Sequence, residues 1–202
     1  GVLAITGTST FTVADGRSIL LTESSTFAAV EFAASGVGGV LLDVEINDSN
    51  AFELQTLRVT RDLTVTAGDD ITDDGTVTVG RNLAATTDAS DGVITLNQLA
   101  VAGSIALNTH GTGAATVVND HATGIEFAAS TVGGALSATA TAGNITDSGV
   151  LRITGASTFT VAGGQSITLD SDNTFSAAVA FNTSGGVLLD VEINDSNAFE
   201  LQ

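Results

Sequence analysis

The chain has 202 residues and a formal net charge of −18 at pH 7, with 23 acidic residues against five basic ones. This charge excludes nucleic acid as a partner, because phosphate binding needs Lys and Arg to displace counterions, and it disfavours an anionic membrane surface. Cys is absent, which excludes disulfides, and no apolar run is long enough for membrane insertion. The hydrophobic fraction of 43% indicates a chain that folds.

Two long stretches of the chain are copies of one another. Residues 38–55, GGVLLDVEINDSNAFELQ, recur without a change as residues 185–202. The stretch that begins at Gly1, GVLAITGTSTFTV, likewise matches the stretch that begins at Gly149, GVLRITGASTFTV. The offset between copies is about 147 to 148 residues, which indicates a tandem duplication.

The repeat sets the expected domain organisation. One complete period of about 148 residues covers about residues 2–149, and residues 150–202 form part of a second period. We therefore expect residues 1–202 to form a single β-solenoid that is an excerpt of a longer repeat array.

A shorter repeat of about 22 to 26 residues lies inside the long one. In chain order it divides the sequence into residues 2–25, 26–50, 51–75, 76–97, 98–123, 124–149, 150–173 and 174–197. The second residue of each segment is large and apolar: Leu3, Phe27, Phe52, Val77, Leu99, Ile125, Leu151, Phe175 and, opening a further segment, Phe199. We predict that these side chains stack in one internal column, in which the phenylalanines form an aromatic ladder.

Within each segment, apolar residues alternate with Thr, Ser or Asp. Leu63 and Val65 in LTVTA, and Ile105 and Leu107 in SIALN, are examples. Alternation with a period of two is typical of strands that bury one face, and Gly, Asn and Asp clusters separate about three short strands per segment. The predicted fold is all-β, a right-handed parallel β-helix (solenoid) of about eight coils.

Other all-β folds fit less well. A propeller needs blades of four antiparallel strands joined by tight hairpins, and the hairpin signals are not evident. A β-sandwich would leave the in-register repeat unexplained, and a left-handed helix of hexapeptides lacks its six-residue period.

Several phrases resemble the repeats of filamentous-haemagglutinin-type proteins. They are RDLTVTAGDDITDDGTVTVGRNL (61–83), GNITDSGVLRITGASTFTVAGGQSITLD (143–170) and NTFSAAVAFNTSGGVLLDVEINDSNAFEL (173–201). The family comprises large bacterial exoproteins and adhesins built as right-handed β-helices. The resemblance implies an extracellular or bacterial cell-surface location and a structural task, as the rigid rod or filament body of a surface fibre or giant adhesin.

Acidic residues gather at the turn that ends each coil. We single out Asp48, Asp73, Asp74, Asp147, Asp170, Asp172 and Asp195. Unit charges stacked about 4.8 Å apart repel by about 0.9 kcal/mol in water, and Ca²⁺ prefers clustered carboxylates. These residues are therefore a possible calcium site, although Asp also favours turns for purely conformational reasons. We expect no other metal and no required cofactor.

No constellation of catalytic residues is evident. The chain has no Trp or Tyr to hold a sugar, and a duplicated sequence would duplicate its active site. His110 and His121 lie among turn residues, and no GxSxG motif appears. We predict that the chain is not an enzyme. A cation- or glycan-binding surface module is the alternative, and a polysaccharide-degrading β-helix enzyme is a third.

The partners follow from this reading of the sequence. We expect self-association, both end to end within a longer chain and by lateral bundling of shafts. A glycan or another cell-surface molecule is a possible partner.

Overall fold

A computed structural model describes residues 1–36 and 38–202. Throughout these ranges the regular elements are β-strands, and neither range contains a helix. The strands, numbered in chain order, are β1 (Ala4–Ala14), β2 (Arg17–Ser35), β3 (Leu41–Asp48), β4 (Phe52–Val59), β5 (Leu63–Ala67), β6 (Ile71–Val79), β7 (Leu83–Ser90), β8 (Ile94–Val101), β9 (Ser104–His110), β10 (Ala115–Asn119), β11 (Gly124–Phe127), β12 (Ser130–Val132), β13 (Leu136–Ala140), β14 (Asn144–Asp147), β15 (Leu151–Ile153), β16 (Ser157–Ala162), β17 (Ile167–Phe175), β18 (Val179–Ser184) and β19 (Val191–Asp195). It follows that no helix in the described part of the chain could cross a membrane.

The strands form where the sequence alternates. In β5, Leu63, Val65 and Ala67 are buried, and Thr64 and Thr66 between them are only partly covered. The extended backbone sends successive side chains to opposite faces, so the alternating sequence gives one apolar and one polar face. The predicted period-two strands are confirmed.

Each strand pairs in parallel with a strand one coil before it and one coil after it, except in the end coils, where pairing is on one side. One column of directly opposed residues passes through seven coils: Phe52, Ile71, Ile94, Ala115, Leu136, Ser157 and Val179. A second column contains Leu57, Val77, Leu99, Asn119, Ala140 and Val161. Both columns lie inside the solenoid and are buried throughout.

The architecture is the predicted all-β parallel β-helix, with about nine turns where the sequence indicated about eight. Antiparallel hairpins would have contradicted this prediction, and the strand pairs of the described residues are all parallel. The coil is the repeating unit, and the ladder hydrogen bonds of its strands join it to the neighbouring coils.

The predicted single column of second-position residues is wrong in register. Val77 does lie opposite Leu99, but Phe52 lies opposite Ile71, and Phe27 pairs with Ile5. Turns of different length shift the register, because the number of residues between paired positions changes from one coil to the next. Seven of the nine residues are nevertheless buried; the exceptions are Leu3 and Phe199 in the end coils.

The phenylalanines form two clusters of the same design in place of one ladder. Phe11 contacts Phe27 edge-on, with ring centroids 5.8 Å apart, and stacks on Phe32 at 6.4 Å. One period later, Phe159 contacts Phe175 edge-on at 5.9 Å and stacks on Phe181 at 6.0 Å. The duplicated sequence therefore produces duplicated packing.

Glycines line one corner where the backbones of successive coils lie close together. Gly113, Gly134 and Gly155 follow one another at equal intervals, one in each of three coils. The N–H of Gly134 donates to the carbonyl of Gly113 (2.7 Å), and the N–H of Gly155 donates to the carbonyl of Gly134 (2.9 Å). A side chain at Gly134 would meet the backbone of the preceding coil, since its Cβ would overlap the carbonyl oxygen of Thr112.

Candidate functional site

The predicted turn position is wrong for four of the seven acidic residues. Asp48, Asp147 and Asp195 end the strands β3, β14 and β19, whereas Asp73 and Asp74 lie within β6 and Asp170 and Asp172 within β17, where the ladders shift register. Asp48 is buried, Asp73, Asp147 and Asp195 are partly buried, and the remaining three are exposed: Asp74, Asp170 and Asp172. Within residues 1–36 and 38–202, no three acidic or histidine side chains converge in a way that could hold a metal ion. The calcium site stays a prediction.

Asp73 and Asp147 accept hydrogen bonds from the backbone of the following coil. The N–H of Asn97 donates to Oδ1 of Asp73 (2.9 Å), and the N–H of Gln98 donates to its Oδ2 (2.8 Å). Oδ1 of Asp147 accepts from the N–H of Asp170 (3.0 Å). The donating amides belong to β8 and β17, at points where the ladders shift register, so the carboxylates supply acceptors that the ladder lacks there. This favours a conformational explanation of the acidic residues.

Asp48 and Asp195 have the same role in the two copies of the identical stretch. Oδ1 of Asp48 accepts from the N–H of Phe27 in the preceding coil (3.4 Å) and from the N–H two residues further along (3.1 Å). Oδ1 of Asp195 accepts from the N–H of Phe175 (3.1 Å) and again from the N–H two residues on (3.4 Å). Each aspartate thus closes its own turn and bridges to the preceding coil.

A column of outward polar residues was missed by the sequence analysis. Oδ1 of Asp43 accepts the N–H of Asp62 (3.3 Å), Oδ1 of Asp62 accepts the N–H of Asn82 (3.1 Å), and Oδ1 of Asn82 accepts the N–H of Ser104 (3.1 Å). Arg61 adds an ion pair to Asp43 at 3.5 Å. The sequence does carry a sign of this column. An Asp or Asn comes directly before the first buried residue of a strand, as in Asp62-Leu63 and Asn82-Leu83.

The two histidines lie apart, each bonded within its surroundings. Nδ1 of His110 lies 2.5 Å from the carbonyl oxygen of Thr87. Nδ1 of His121 lies 2.8 Å from Oγ1 of Thr123 in the same turn. The predicted place in turns is confirmed for His121, which follows β10, and is wrong for His110, which is the last residue of β9.

A small cavity beside Asp48 is lined by Phe27, Val30 and Phe52 among others. Its volume of about 50 Å³ has room for a few water molecules. Pockets for organic ligands usually enclose about 300–1,000 Å³, so this cavity is too small for a sugar.

Burial raises the pKa of Asp48, although backbone hydrogen bonds from Asn50, Phe27 and Ser49 oppose the rise. Asp91 behaves in the opposite way, because hydrogen bonds from the side chain and backbone of Thr112 lower its pKa.

Neutral residues accept similar inter-coil bonds elsewhere: Oδ1 of Asn119 accepts from the backbone of Val101 (2.8 Å), and Oδ1 of Asn173 accepts from that of Leu151 (2.7 Å).

We expect Asp48→Asn to stabilise the protein at pH 7, because it keeps an acceptor oxygen and removes a desolvated charge. A carboxyl whose folded pKa is raised binds its proton more tightly in the native state. The contribution of Asp48 to stability therefore falls as the pH rises from 3.8, the pKa of the carboxyl in the unfolded chain, through its higher pKa in the folded chain. Urea unfolding between about pH 3.5 and pH 8, followed by circular dichroism, measures both effects.

The exposed Asp74 provides the matched control. Asp74→Asn should leave the stability at pH 7 nearly unchanged, and Asp48→Ala should destabilise by leaving buried N–H groups without an acceptor. A destabilising Asp48→Asn would show that the charge itself is needed there.

Together, the parallel ladders, apolar columns and polar turns define a repeat protein of the parallel β-solenoid class. The sequence model of a family described as repeats of unknown function (DUF5649) matches residues 42–111 and 112–182, and the chain belongs to this family. Each match covers about half of the long period predicted above. No curated protein and no solved structure matches the chain significantly. The filamentous-haemagglutinin type therefore stays a prediction.

Proposed function

We propose that the chain is a structural repeat module of an extracellular bacterial surface fibre or giant adhesin, in which it acts as a rigid rod. The observation that carries this proposal is the unbroken parallel pairing from β4 through β6, β8, β10, β13 and β16 to β18. A ladder of this kind directs its backbone hydrogen bonds along the axis of the solenoid. Bending the rod would require these bonds to lengthen together.

Length is what such a module contributes. Neighbouring strands lie about 4.8 Å apart, so about nine coils extend about 40 Å along the axis, and further periods would add to the length without a change of design. In this proposal the core serves only to hold the coils in register, and the work of the module is mechanical and not catalytic.

The surface suits an exposed, hydrated shaft. Outward positions carry residues such as Thr64, Thr66, Thr78 and Thr95, and the net charge is −18. Charge of one sign keeps shafts soluble, while the small polar side chains leave neighbouring shafts room to bundle. A surface glycan is the kind of external partner that this module would meet.

The proposal requires no cofactor, and Ca²⁺ at the acidic turns is an optional addition to it. A calcium site at Asp147 and its neighbours would raise the melting temperature when Ca²⁺ is added, since a ligand that binds only the native state stabilises it. A melting temperature unmoved by Ca²⁺ and by chelator would remove the calcium prediction.

Labelling of intact cells tests the proposed location and role together. Antibodies raised against residues 1–202 should decorate fibres on unpermeabilised cells of the source bacterium, and an antibody to a cytoplasmic protein should label nothing. Signal that appears only after the cells are lysed would contradict the proposal.

A further inference from the structure

The parallel pairing is interrupted at one junction between coils. The first half of β2 pairs with β3 of the following coil as far as Ser25, which lies opposite Asp48. The second half, residues 26–35, pairs only with β1 of the preceding coil. The facing strand β4 pairs with β6 of the following coil and reaches back only at Val59. Among the described residues, no ladder therefore joins residues 28–35 to β4, and we call this interrupted junction the seam.

The second copy of the sequence shows the same junction bonded. Residues 200–202 repeat residues 53–55 without a change, and Val179 is the counterpart of Val30. Val179 lies opposite Leu201 in parallel pairing. Its N–H donates to the carbonyl of the residue before Leu201 (2.9 Å), and its carbonyl accepts from the N–H of the residue after it (3.0 Å). In the described part of the first copy, no backbone hydrogen bond joins Val30 to residues 53–55.

The two strands of the bonded junction have the same length between their paired positions. Asn173 lies opposite Asp195, and Val179 lies opposite Leu201. Five residues separate Asn173 from Val179, and five separate Asp195 from Leu201. Equal lengths allow both positions to stay opposed as the two coils turn the corner together.

The coil that contains β2 is one residue short at the seam. Only four residues separate Ser25 from Val30, whereas five separate Asp48, the partner of Ser25, from Leu54. In the second copy β17 ends at Phe175 and β18 begins after a corner, but β2 continues through the same region without a break. The missing residue therefore removes the corner, and Val30 does not come opposite Leu54.

Side chains fill the seam in place of hydrogen bonds. Val30, Phe52 and Leu54 are only 3%, 4% and 1% exposed, so apolar contacts close the interior. The cavity of about 50 Å³ beside Asp48 lies along the seam. An open groove of about 340 Å³ continues it between Glu31, Phe32, Ala33, Gln55 and Thr56. Apolar contact has no preferred direction, so it lets facing strands tilt and part more easily than ladder hydrogen bonds do.

We propose that the seam is a hinge in the rod. The parts of the solenoid on its two sides tilt relative to one another about the ladder between β2 and β3, which stays bonded. At the next junction, the ladders β3–β5 and β4–β6 hold two adjacent faces together. Both coils at the seam lie wholly inside the sequence, so the hinge does not depend on where the chain begins or ends. It adds a bending point to the proposed rod and does not depend on the location of the fibre.

Distances between nitroxide labels measure the hinge directly. The chain has no Cys, so the double variant Glu31→Cys/Thr56→Cys carries labels only on the two exposed sides of the seam. Thr76→Cys/Gln98→Cys is the control, since both side chains are exposed beside a bonded part of the β6–β8 ladder. Electron paramagnetic resonance should show a distance distribution about twofold broader, or more, across the seam than in the control. Equally narrow distributions overturn the hinge and leave the proposed rod intact.

Restoring the missing residue should close the seam. Insertion of one serine after Phe27 produces the sequence Phe-Ser-Ala-Ala-Val of the second copy, so that Val30 can lie opposite Leu54. The label distribution across the seam should then narrow to that of the control pair. Ala28→Ser introduces the same side chain without added length and should leave the distribution broad. A broad distribution after the insertion, or a narrow one in Ala28→Ser, overturns the proposal.

Amide hydrogen exchange reports the same opening in the unaltered chain. The N–H of Gln55 should exchange about tenfold faster, or more, than those of Leu63 and Ile71, which each donate to a carbonyl of the following coil at 2.9 Å. The inserted serine should slow exchange at Gln55 by a similar factor, because the carbonyl of Val30 becomes its acceptor. Protection of Gln55 equal to that of Leu63 in the unaltered chain would show a bonded junction and overturn the hinge.

Discussion

Replacing Phe159 with alanine should destabilise the protein by about 3–5 kcal/mol. Its side chain is fully buried, and its ring contacts those of Phe127, Phe175 and Phe181 at centroid distances of 6.3, 5.9 and 6.0 Å. Removal of the ring leaves a cavity that parallel coils cannot close, because backbone hydrogen bonds on both sides fix their spacing. Urea denaturation followed by circular dichroism measures the loss, since the chain has no Trp or Tyr.

Phe11 supplies a control with nearly the same local sequence. It is the counterpart of Phe159 one period earlier, and it contacts Phe27 and Phe32 in the same geometry, but it is only partly buried in the first coil. Phe11→Ala should therefore cost clearly less than Phe159→Ala. Equal losses would contradict the placement of Phe159 in the interior and Phe11 near the end of the solenoid.

Gly134→Ala should destabilise the protein by about 1–3 kcal/mol, and Gly134→Val by more. An added Cβ would overlap the carbonyl oxygen of Thr112 and lie 2.9 Å from the backbone nitrogen of Ala114. Both atoms belong to the backbone of the neighbouring coil, so the coils must separate at this corner and strain the hydrogen bond from Gly134 to Gly113. The midpoint of urea unfolding reports the loss.

Gly7→Ala is the matched control for this substitution. No atom of the described residues lies within 4 Å of a Cβ built at Gly7, and a strand residue gains from the loss of glycine's backbone freedom. We expect Gly7→Ala to be neutral or slightly stabilising. A neutral Gly134→Ala would show that this corner is looser than parallel stacking requires.

The strands and their inward faces could be predicted because they depend on local alternation. Leu63, Val65, Ile105 and Leu107 are buried as the pattern indicated. The register between coils could not be predicted in the same way. One residue more or fewer in a turn changes which residues of two neighbouring coils lie opposite each other. This is why Phe52 pairs with Ile71 and not with Val77.

The polar part of the structure was less accessible to sequence reasoning. The sequence pattern treats Asp48 and Asp74 alike, yet Asp48 is buried at the end of β3 and Asp74 is exposed within β6. The difference depends on where the neighbouring coil places its N–H groups. Ser157 and Asn119 occupy interior columns among apolar residues, and no periodicity distinguishes an inward serine or asparagine from an outward one. Asn119 finds its partners in Val101 of the preceding coil and Gly124 of its own turn, and the register that brings Val101 there is left open by the sequence.

Nuclear Overhauser contacts between strands test the central claim of coil-on-coil stacking most directly. In parallel pairing, the difference between the numbers of opposed residues stays constant along a strand. Contacts from β13 to β16 should accordingly join Leu136 with Ser157, Ala138 with Phe159 and Ala140 with Val161, three pairs that share one difference. Contacts whose residue numbers keep a constant sum, as antiparallel hairpins produce, would contradict the solenoid and the rod proposed from it.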